Sequence, residues 1–167
     1  CEDGRVNFSL RGIIRQNAIW LPRLGFEWTL PEKSAAFAYY GHGPIESYRD
    51  MCHWAPVGLY ESTAQQEYVP YVMPQEHGNH YGVSYLKFEN GLTFAAAERS
   101  FEANVSAYTI LQLDRARHIN EIGESTGTHL RIDYRNAGVG SQSCGPELIP
   151  EHKITEKQIA FTFSIRI

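Results

Sequence analysis

Ile159-Ala160-Phe161-Thr162-Phe163-Ser164-Ile165-Arg166-Ile167 places large apolar side chains at every second position, with small or polar residues between them. A period of two sends alternate side chains to opposite faces of an extended chain, so this stretch predicts a strand with one buried face. The same pattern recurs upstream in Val6-Asn7-Phe8-Ser9-Leu10, in Leu24-Gly25-Phe26-Glu27-Trp28-Thr29-Leu30, in Tyr81-Gly82-Val83-Ser84-Tyr85-Leu86-Lys87-Phe88 and in His129-Leu130-Arg131-Ile132-Asp133-Tyr134. Glu89-Asn90-Gly91 separates the third of these from Leu92-Thr93-Phe94-Ala95-Ala96, and Asn-Gly between alternating segments predicts a hairpin. The expected class is all-β and antiparallel. One segment departs from it: residues 107–118 are rich in helix formers with apolar residues at three- and four-residue spacing, which predicts a short helix laid over a sheet. Ser106 is positioned to cap its start, and Arg117 and His118 suit its negative end. Residues 41–78 hold Pro44, Pro56, Pro70 and Pro74 and little alternation, and are expected to form an extended, structured loop region.

The chain has 167 residues, 43% of them apolar, enough to bury one sizeable core. Its net charge of −4, with no basic block, excludes electrostatic capture of nucleic acid or of an anionic membrane. The longest apolar run, at 35–40, is far short of the roughly twenty residues a spanning helix needs, so a soluble product is expected. Cys1, Cys52 and Cys144 are odd in number and widely spaced, which fits free thiols rather than a disulfide framework or a zinc site. The absence of an initiator Met leads to the expectation that the numbering begins inside a longer chain or after processing.

Several residues invite a chemical reading. Glu76-His77-Gly78-Asn79-His80 groups metal-ligating types, but the spacing is not that of a helical His-Glu-x-x-His motif, and Gly78 predicts a turn with diverging side chains, favouring a hydrogen-bonding role. Cys52 and His53 are adjacent, so an extended backbone points them apart and they do not form a nucleophile and base pair. Glu46 and Asp50 are four apart, but their Gly- and Pro-rich flanks disfavour helical pairing, and a turn-stabilising role is expected. Gly138-Val139-Gly140-Ser141-Gln142-Ser143-Cys144-Gly145-Pro146 is a glycine-rich loop presenting Ser143 and Cys144 at its tip; with no Lys and no helix after it, phosphate binding is disfavoured. Asn7-Phe8-Ser9 and Asn104-Val105-Ser106 match the glycosylation pattern, which matters only in a secretory pathway.

Four of these segments fall in one order. Leu21-Pro22-Arg23-Leu24-Gly25, Tyr39-Tyr40-Gly41-His42-Gly43-Pro44-Ile45-Glu46-Ser47-Tyr48-Arg49-Asp50, Pro70-Tyr71-Val72-Met73-Pro74-Gln75-Glu76 and the 138–146 loop together resemble the C-terminal small-chain domain of the glycoside hydrolase family 2 β-galactosidases. The resemblance covers residues 21–167, and four motifs in family order are far more specific than any one of them. It implies an antiparallel β-supersandwich of the galactose-mutarotase-like type, of which residues 1–167 would be a single domain forming the C-terminal part. It also implies a parent enzyme that hydrolyses terminal β-D-galactosides of the lactose type with retention, using a Glu nucleophile and a Glu acid/base about 5 Å apart. The family holds both, with its magnesium and sodium, in other domains centred on a TIM barrel. The resemblance therefore implies no catalytic residue, cofactor or metal here, and a fragment inactive alone.

What the family's domain contributes is a loop at the rim of the active site, where many members stack a tryptophan on the sugar in the aglycone position. The corresponding residues are Ser143, Cys144 and Gly145, with Cys144 nearest that position. A thiol is a smaller apolar platform than an indole, so stacking on the sugar is expected to be weaker or to be supplied by another residue. His42, where the family commonly has arginine, and Met51, where a basic residue usually follows the Asp, are two further departures. The implied partners are the TIM-barrel domain, the β-galactoside at the rim and a further copy in a homo-oligomer; a cytoplasmic setting is expected ahead of a periplasmic or secreted one. Neither nucleic acid nor membrane is among them. An accessory domain of this kind should expose apolar surface that its neighbours cover. The alternative is a free-standing carbohydrate-binding or aldose-epimerising module, in which His42, Glu46, His77 and His80 would transfer protons. The chain is short for such a module and carries none of its motifs.

Overall fold

A computed structural model describes residues 4–15, 20–33, 35–141 and 145–167. Its strands are β1 (Arg5–Ile13), β2 (Arg23–Leu30), β3 (Ala36–His42), β4 (Val57–Thr63), β5 (Asn79–Val83), β6 (Tyr85–Phe88), β7 (Thr93–Ala96), β8 (Phe101–Ser106), β9 (Thr128–Asn136) and β10 (Gln158–Arg166). They form a six-stranded sheet ordered β1-β10-β7-β6-β3-β4 and a four-stranded sheet ordered β2-β9-β8-β5. The named pairings are antiparallel. Two antiparallel sheets sharing one apolar core make a β-sandwich.

The alternation of β10 shows why the sheets meet. Ile159, Phe161 and Phe163 are buried, while Ala160, Thr162 and Ser164 lie on the other face of the sheet. Phe163 is stacked on Phe8 of β1 with ring centroids 5.4 Å apart, and it meets Phe26 and Trp28 of β2 at 5.8 and 5.9 Å. Rings from both sheets thus interlock across the layer, joined by Phe37, Leu86, Phe88 and Phe94 from the larger sheet and by Val105, Leu130 and Ile132 from the smaller. Burial of this much aromatic and aliphatic surface is the main force holding the layers together.

The hairpin expected at Asn90-Gly91 joins β6 to β7, with Leu86 opposite Phe94. Other expectations need correction. Residues 81–88 form two strands in different sheets: pairing is irregular between His80 and Val83, and the chain crosses from β5 to β6 at Ser84. Alternation is blind to this, because both halves keep a period of two. The region 41–78 contains β4, an edge strand between Pro56 and the turn after Thr63, and β3 and β8 have no counterpart among the strands expected from the sequence. The helix is shorter than 107–118. It is α1, Ile110–Arg115, and its cap is Thr109, whose side chain accepts from the Gln112 amide while the Gln112 side chain accepts from the Thr109 amide. Ser106 instead ends β8 and accepts from the Tyr108 amide at 3.0 Å, and the basic residue of the last turn is Arg115 rather than Arg117 or His118. Among the described residues no helix is long and apolar enough to cross a membrane.

Replacing Phe163, which is fully buried, removes the ring that touches both sheets. Phe163→Ala is expected to lower unfolding stability by about 3–5 kcal/mol, and Phe163→Leu by under about 1.5 kcal/mol, in denaturant titrations of this chain. An alanine cost below about 1 kcal/mol would remove β10 from the core.

Candidate functional site: a glycine-rich loop and its buried support

The two faces of the four-stranded sheet are unlike. One is the apolar core; the other carries Glu102, Asn104 and Ser106 from β8, His129, Arg131 and Asp133 from β9 and Asn79 from β5, all buried. Polar groups are buried in a stable protein only when they are paired. The pairs here come mostly from connections lying over the sheet. Arg131 donates through Nε to Glu27 at 2.9 Å, through Nη1 to Asn104 at 2.6 Å and through Nη2 to the Tyr108 carbonyl at 3.4 Å, which ties the segment before α1 to the sheet. Asn104 donates in turn to the His77 carbonyl. Arg23 donates to Asp133 at 2.7 Å and to Glu76 at 3.2 Å. Asp133 reaches Arg23 because Gly25 stands beside it: a Cβ at Gly25 would lie 2.0 Å from an Asp133 carboxylate oxygen.

The segment 46–52 is fastened by the same layer. Ser47 and Asn79 bond reciprocally, the Ser47 amide donating to the Asn79 carbonyl at 2.7 Å and the Asn79 side chain donating to the Ser47 carbonyl at 2.9 Å. Tyr48 is fully buried, and its backbone pairs with Met51 to close a turn. Arg49 donates to Glu102 at 3.2 Å and lies over the Tyr81 ring at 5.2 Å. Asp50 then projects toward the glycine-rich loop. Its Oδ2 accepts from both the amide and the hydroxyl of Ser141, each at 2.9 Å. Gly138 packs against the same carboxylate with φ +103°, and a Cβ there would lie 2.0 Å from Oδ1, so two independent constraints call for glycine.

Of the residues expected at the rim, Ser143 and Cys144 lie outside the described residues, and Gly145 is exposed with open space around its Cα. Cys52 is a free thiol, with burial pushing it up from its ordinary range; Cys1 also lies outside the described residues. His53 is exposed and Cys52 donates to the Arg49 carbonyl at 3.8 Å, so they form no nucleophile and base pair. Glu46 and Asp50 do stabilise turns, but separate ones: Glu46 accepts from the Gly78 amide at 2.8 Å and from the Tyr71 hydroxyl. Gly78, at φ +71°, turns the chain between His77 and His80 as expected. Asn104 is fully buried among these bonds, so its sequon is closed in the folded chain, whereas Asn7 is exposed on β1.

The four residues of the epimerising alternative do not converge on an open cavity. One ring nitrogen of His42 bonds the Ala55 carbonyl at 2.6 Å, and one of His77 bonds the Gln75 carbonyl at 2.8 Å. His80 does meet a carboxylate, but it is Glu67, at 2.8 Å, and both are buried, with the imidazole stacked on Tyr39 at 4.1 Å. The hollow lined by Glu46, Glu61 and Glu67 has no histidine in its wall. Among the described residues, no group of three or more His, Cys, Asp and Glu could hold a metal ion. Sequence reasoning missed Glu67, Glu102 and the role of Arg131, because their partners are far away along the chain. The one local signal was a polar residue at every second position of β8 and β9.

Residues 2–167 match the family model described as β-galactosidase small chain. The chain belongs to this family. Its relatives include the β-galactosidase of Actinobacillus pleuropneumoniae, 38% identical over 164 residues, which are 98% of this chain and 16% of that protein. Others are the β-galactosidases of Staphylococcus xylosus, 30% identical over 89% of this chain and 15% of that protein, and Streptococcus thermophilus, 37% identical over 71% and 12%. The small-chain sequence thus spans about a sixth of the length of the first of these relatives. The order of motifs at 21–25, 39–50, 70–76 and 138–146 marks residues that the fold brings to one side of the small sheet, where Arg23, Glu76, Asp50 and Ser141 are bonded to one another or to that sheet's polar face.

Burial pushes the Glu102 carboxyl up to about 7 against the opposing pull of Arg49. The folded chain then keeps a proton on Glu102 that the unfolded chain releases above about 4.5, so this group's contribution to stability falls as pH rises from about 4.5 to about 7. Relative to Glu102→Gln, the wild-type chain should lose on the order of 3 kcal/mol across that window in chemical denaturation at stepped pH. Parallel curves for the two proteins would show that Glu102 is ionised throughout.

Proposed function

We propose that this chain is the non-catalytic C-terminal domain of a retaining β-galactosidase, acting on terminal β-D-galactosides of the lactose type. The observation that carries the proposal is the match of residues 2–167 to the β-galactosidase small chain, in a sequence that spans about a sixth of its relatives. On this reading residues 1–167 are one domain, the C-terminal part of a supersandwich of glycoside hydrolase family 2. The Glu nucleophile and the Glu acid/base belong to a TIM-barrel partner domain, with the magnesium and sodium sites in the parent's other domains. Glu102, Glu67 and Asp133 are each engaged by an arginine or histidine in the small sheet's polar layer, which supports a structural role for them.

The domain's contribution is the rim. Ser143, Cys144 and Gly145, which come two to four residues after Ser141 in the sequence, are assigned contact with the sugar in the aglycone position. Cys144 supplies a smaller apolar surface than an aromatic ring, which favours modest acceptor affinity. The exposed face of the six-stranded sheet supports a covering neighbour. A single row crosses it from Leu59 to Tyr40, Tyr85, Ala95, Ser164 and Asn7, and Leu59 is 61% exposed and Tyr40 43%. Apolar surface of this kind fits a contact with the rest of the enzyme or with a further copy in a homo-oligomer.

The test is hydrolysis of a chromogenic β-galactoside by the chain alone and after mixing with a barrel-containing fragment. No turnover alone and turnover in the mixture is the expected result. Turnover by the chain alone would require catalytic carboxylates within it and would overturn the proposal.

A further inference from the structure

Resting on the reading of this chain as the C-terminal part of a longer one, we infer that the outer edge of β1 receives a strand from the parent chain upstream of these residues. The two ends of the sandwich differ. Where β4 and β5 are the edge strands the layer is sealed, with Tyr39, Ala64 and Val83 fully buried and Tyr39 stacked on His80. Where β1 and β2 are the edge strands it is not. Phe8 of β1 meets Phe26 and Trp28 of β2 across the layer at 6.4 and 6.2 Å, yet these three rings, with Leu10, are only partly buried. Val6, paired with Ile165 and on the same inward face as Phe8 and Leu10, is 55% exposed. The apolar layer thus runs out into solvent between two strands, which forfeits hydrophobic stabilisation unless something lies over it.

The backbone at that end is equally available. β1 pairs with β10 over nine residues without a register shift, and among the described residues its other side meets no strand. The Ile14 amide donates to the Lys157 carbonyl at 2.8 Å, in the pair that continues this register. Hydrogen-bonded pairs alternate along an antiparallel ladder, so the amides of Phe8 and Leu10 face β10 and those of Asn7, Ser9 and Arg11 face away. Proteins that keep such an edge in solvent blunt it with bulges, prolines or short strands, whereas a long regular edge is a template for strand addition. β1 is long, and has neither proline nor bulge. The occupant follows from the length of the relatives and the place of β1 in the chain. This chain matches 16% of the Actinobacillus pleuropneumoniae enzyme, and β1 is the first strand described. Strands consecutive along a chain pair or neighbour roughly two-thirds of the time, so the parent's preceding strand is the natural partner. Laid along β1, it sets apolar residues inward over Phe26 and Trp28 and polar ones outward, with an acid favoured beside Arg11.

The test is amide hydrogen exchange along β1, in this chain and in the full-length enzyme, beside hydrolysis of a chromogenic β-galactoside by that enzyme. Asn7, Ser9 and Arg11 are expected to exchange rapidly in this chain and about tenfold or more slower in the full-length enzyme, with Phe8 and Leu10 protected in both as a reference. Equal exchange of the three in both proteins would overturn the inference. So would protection that grows with the concentration of the isolated chain, since a second copy would then hold the edge. Ser9→Pro removes an outward donor and leaves the ladder to β10 intact. In the full-length enzyme it is expected to bring Asn7 and Arg11 within about threefold of their rates in the isolated chain. Continued protection in that variant would mean an edge that is covered but not paired, and would overturn strand addition; the wild-type comparison decides the matter if the variant does not fold. Turnover with unprotected edge amides overturns the inference and supports the reading of function. Protected edge amides in a full-length protein without turnover support the inference and overturn that reading.

Discussion

The buried guanidinium of Arg131 is the interaction on which most of the molecule's non-core structure depends. It sits in the middle of the four-stranded sheet, on the face away from the aromatic core, and its donors go to β2, to β8 and to the segment before α1. A charge removed from water is tolerated only with partners in place, and losing one partner of such a group costs about 3–5 kcal/mol. Asp133 is likewise buried and paired with Arg23, and the buried Glu102 carboxyl accepts from Arg49. The polar layer thus demands the loops that cover it, and the loops acquire fixed positions because they supply its partners.

This explains how a chain with long stretches of irregular backbone can hold them in defined positions. Residues 46–52 and 67–80 make few regular ladders, but Ser47, Arg49, Glu67, Glu76 and His77 each bond a residue of the small sheet. The helix side is held by packing as well: Leu113, Ala116 and Ile122 form a second small cluster with Tyr68 and Tyr108, and Tyr68 meets His77 edge to face at 5.2 Å. An irregular loop can be placed precisely only from a rigid element, and in a β-sandwich that element is the sheet.

The two sheets accordingly divide the work. The outward face of the six-stranded sheet carries Leu59, Tyr40 and Tyr85 in one row and Glu61, Lys87, Arg166 and Arg5 in the next. The four-stranded sheet has its far face closed by the molecule's own loops and spends its polar residues on holding them. Of the four motifs that mark the β-galactosidase small-chain family, one runs into β2, one leaves β3 for the turn at 48–51, one supplies Glu76 to Arg23, and the glycine-rich loop is bonded to Asp50 of that turn.

The strands at 6–10, 24–30, 129–134 and 159–167 and the Asn90-Gly91 hairpin were legible in the sequence because their alternation and turn chemistry are local properties, written within a few residues. Strand β8 was harder, since Glu102 and Asn104 look solvent-facing until a second layer covers them. The order of motifs was equally legible and identified the family. Which residue holds the glycine-rich loop was not, because Asp50 and Ser141 are 91 positions apart and nothing in either neighbourhood names the other. The sequence by itself determined an antiparallel all-β chain and its family, through periodicity and motif order. Only the tertiary structure decided that residues 81–88 belong to two sheets, and that an acid in one proline-flanked loop grips glycines in another, because pairing between distant groups exists only once the chain has folded.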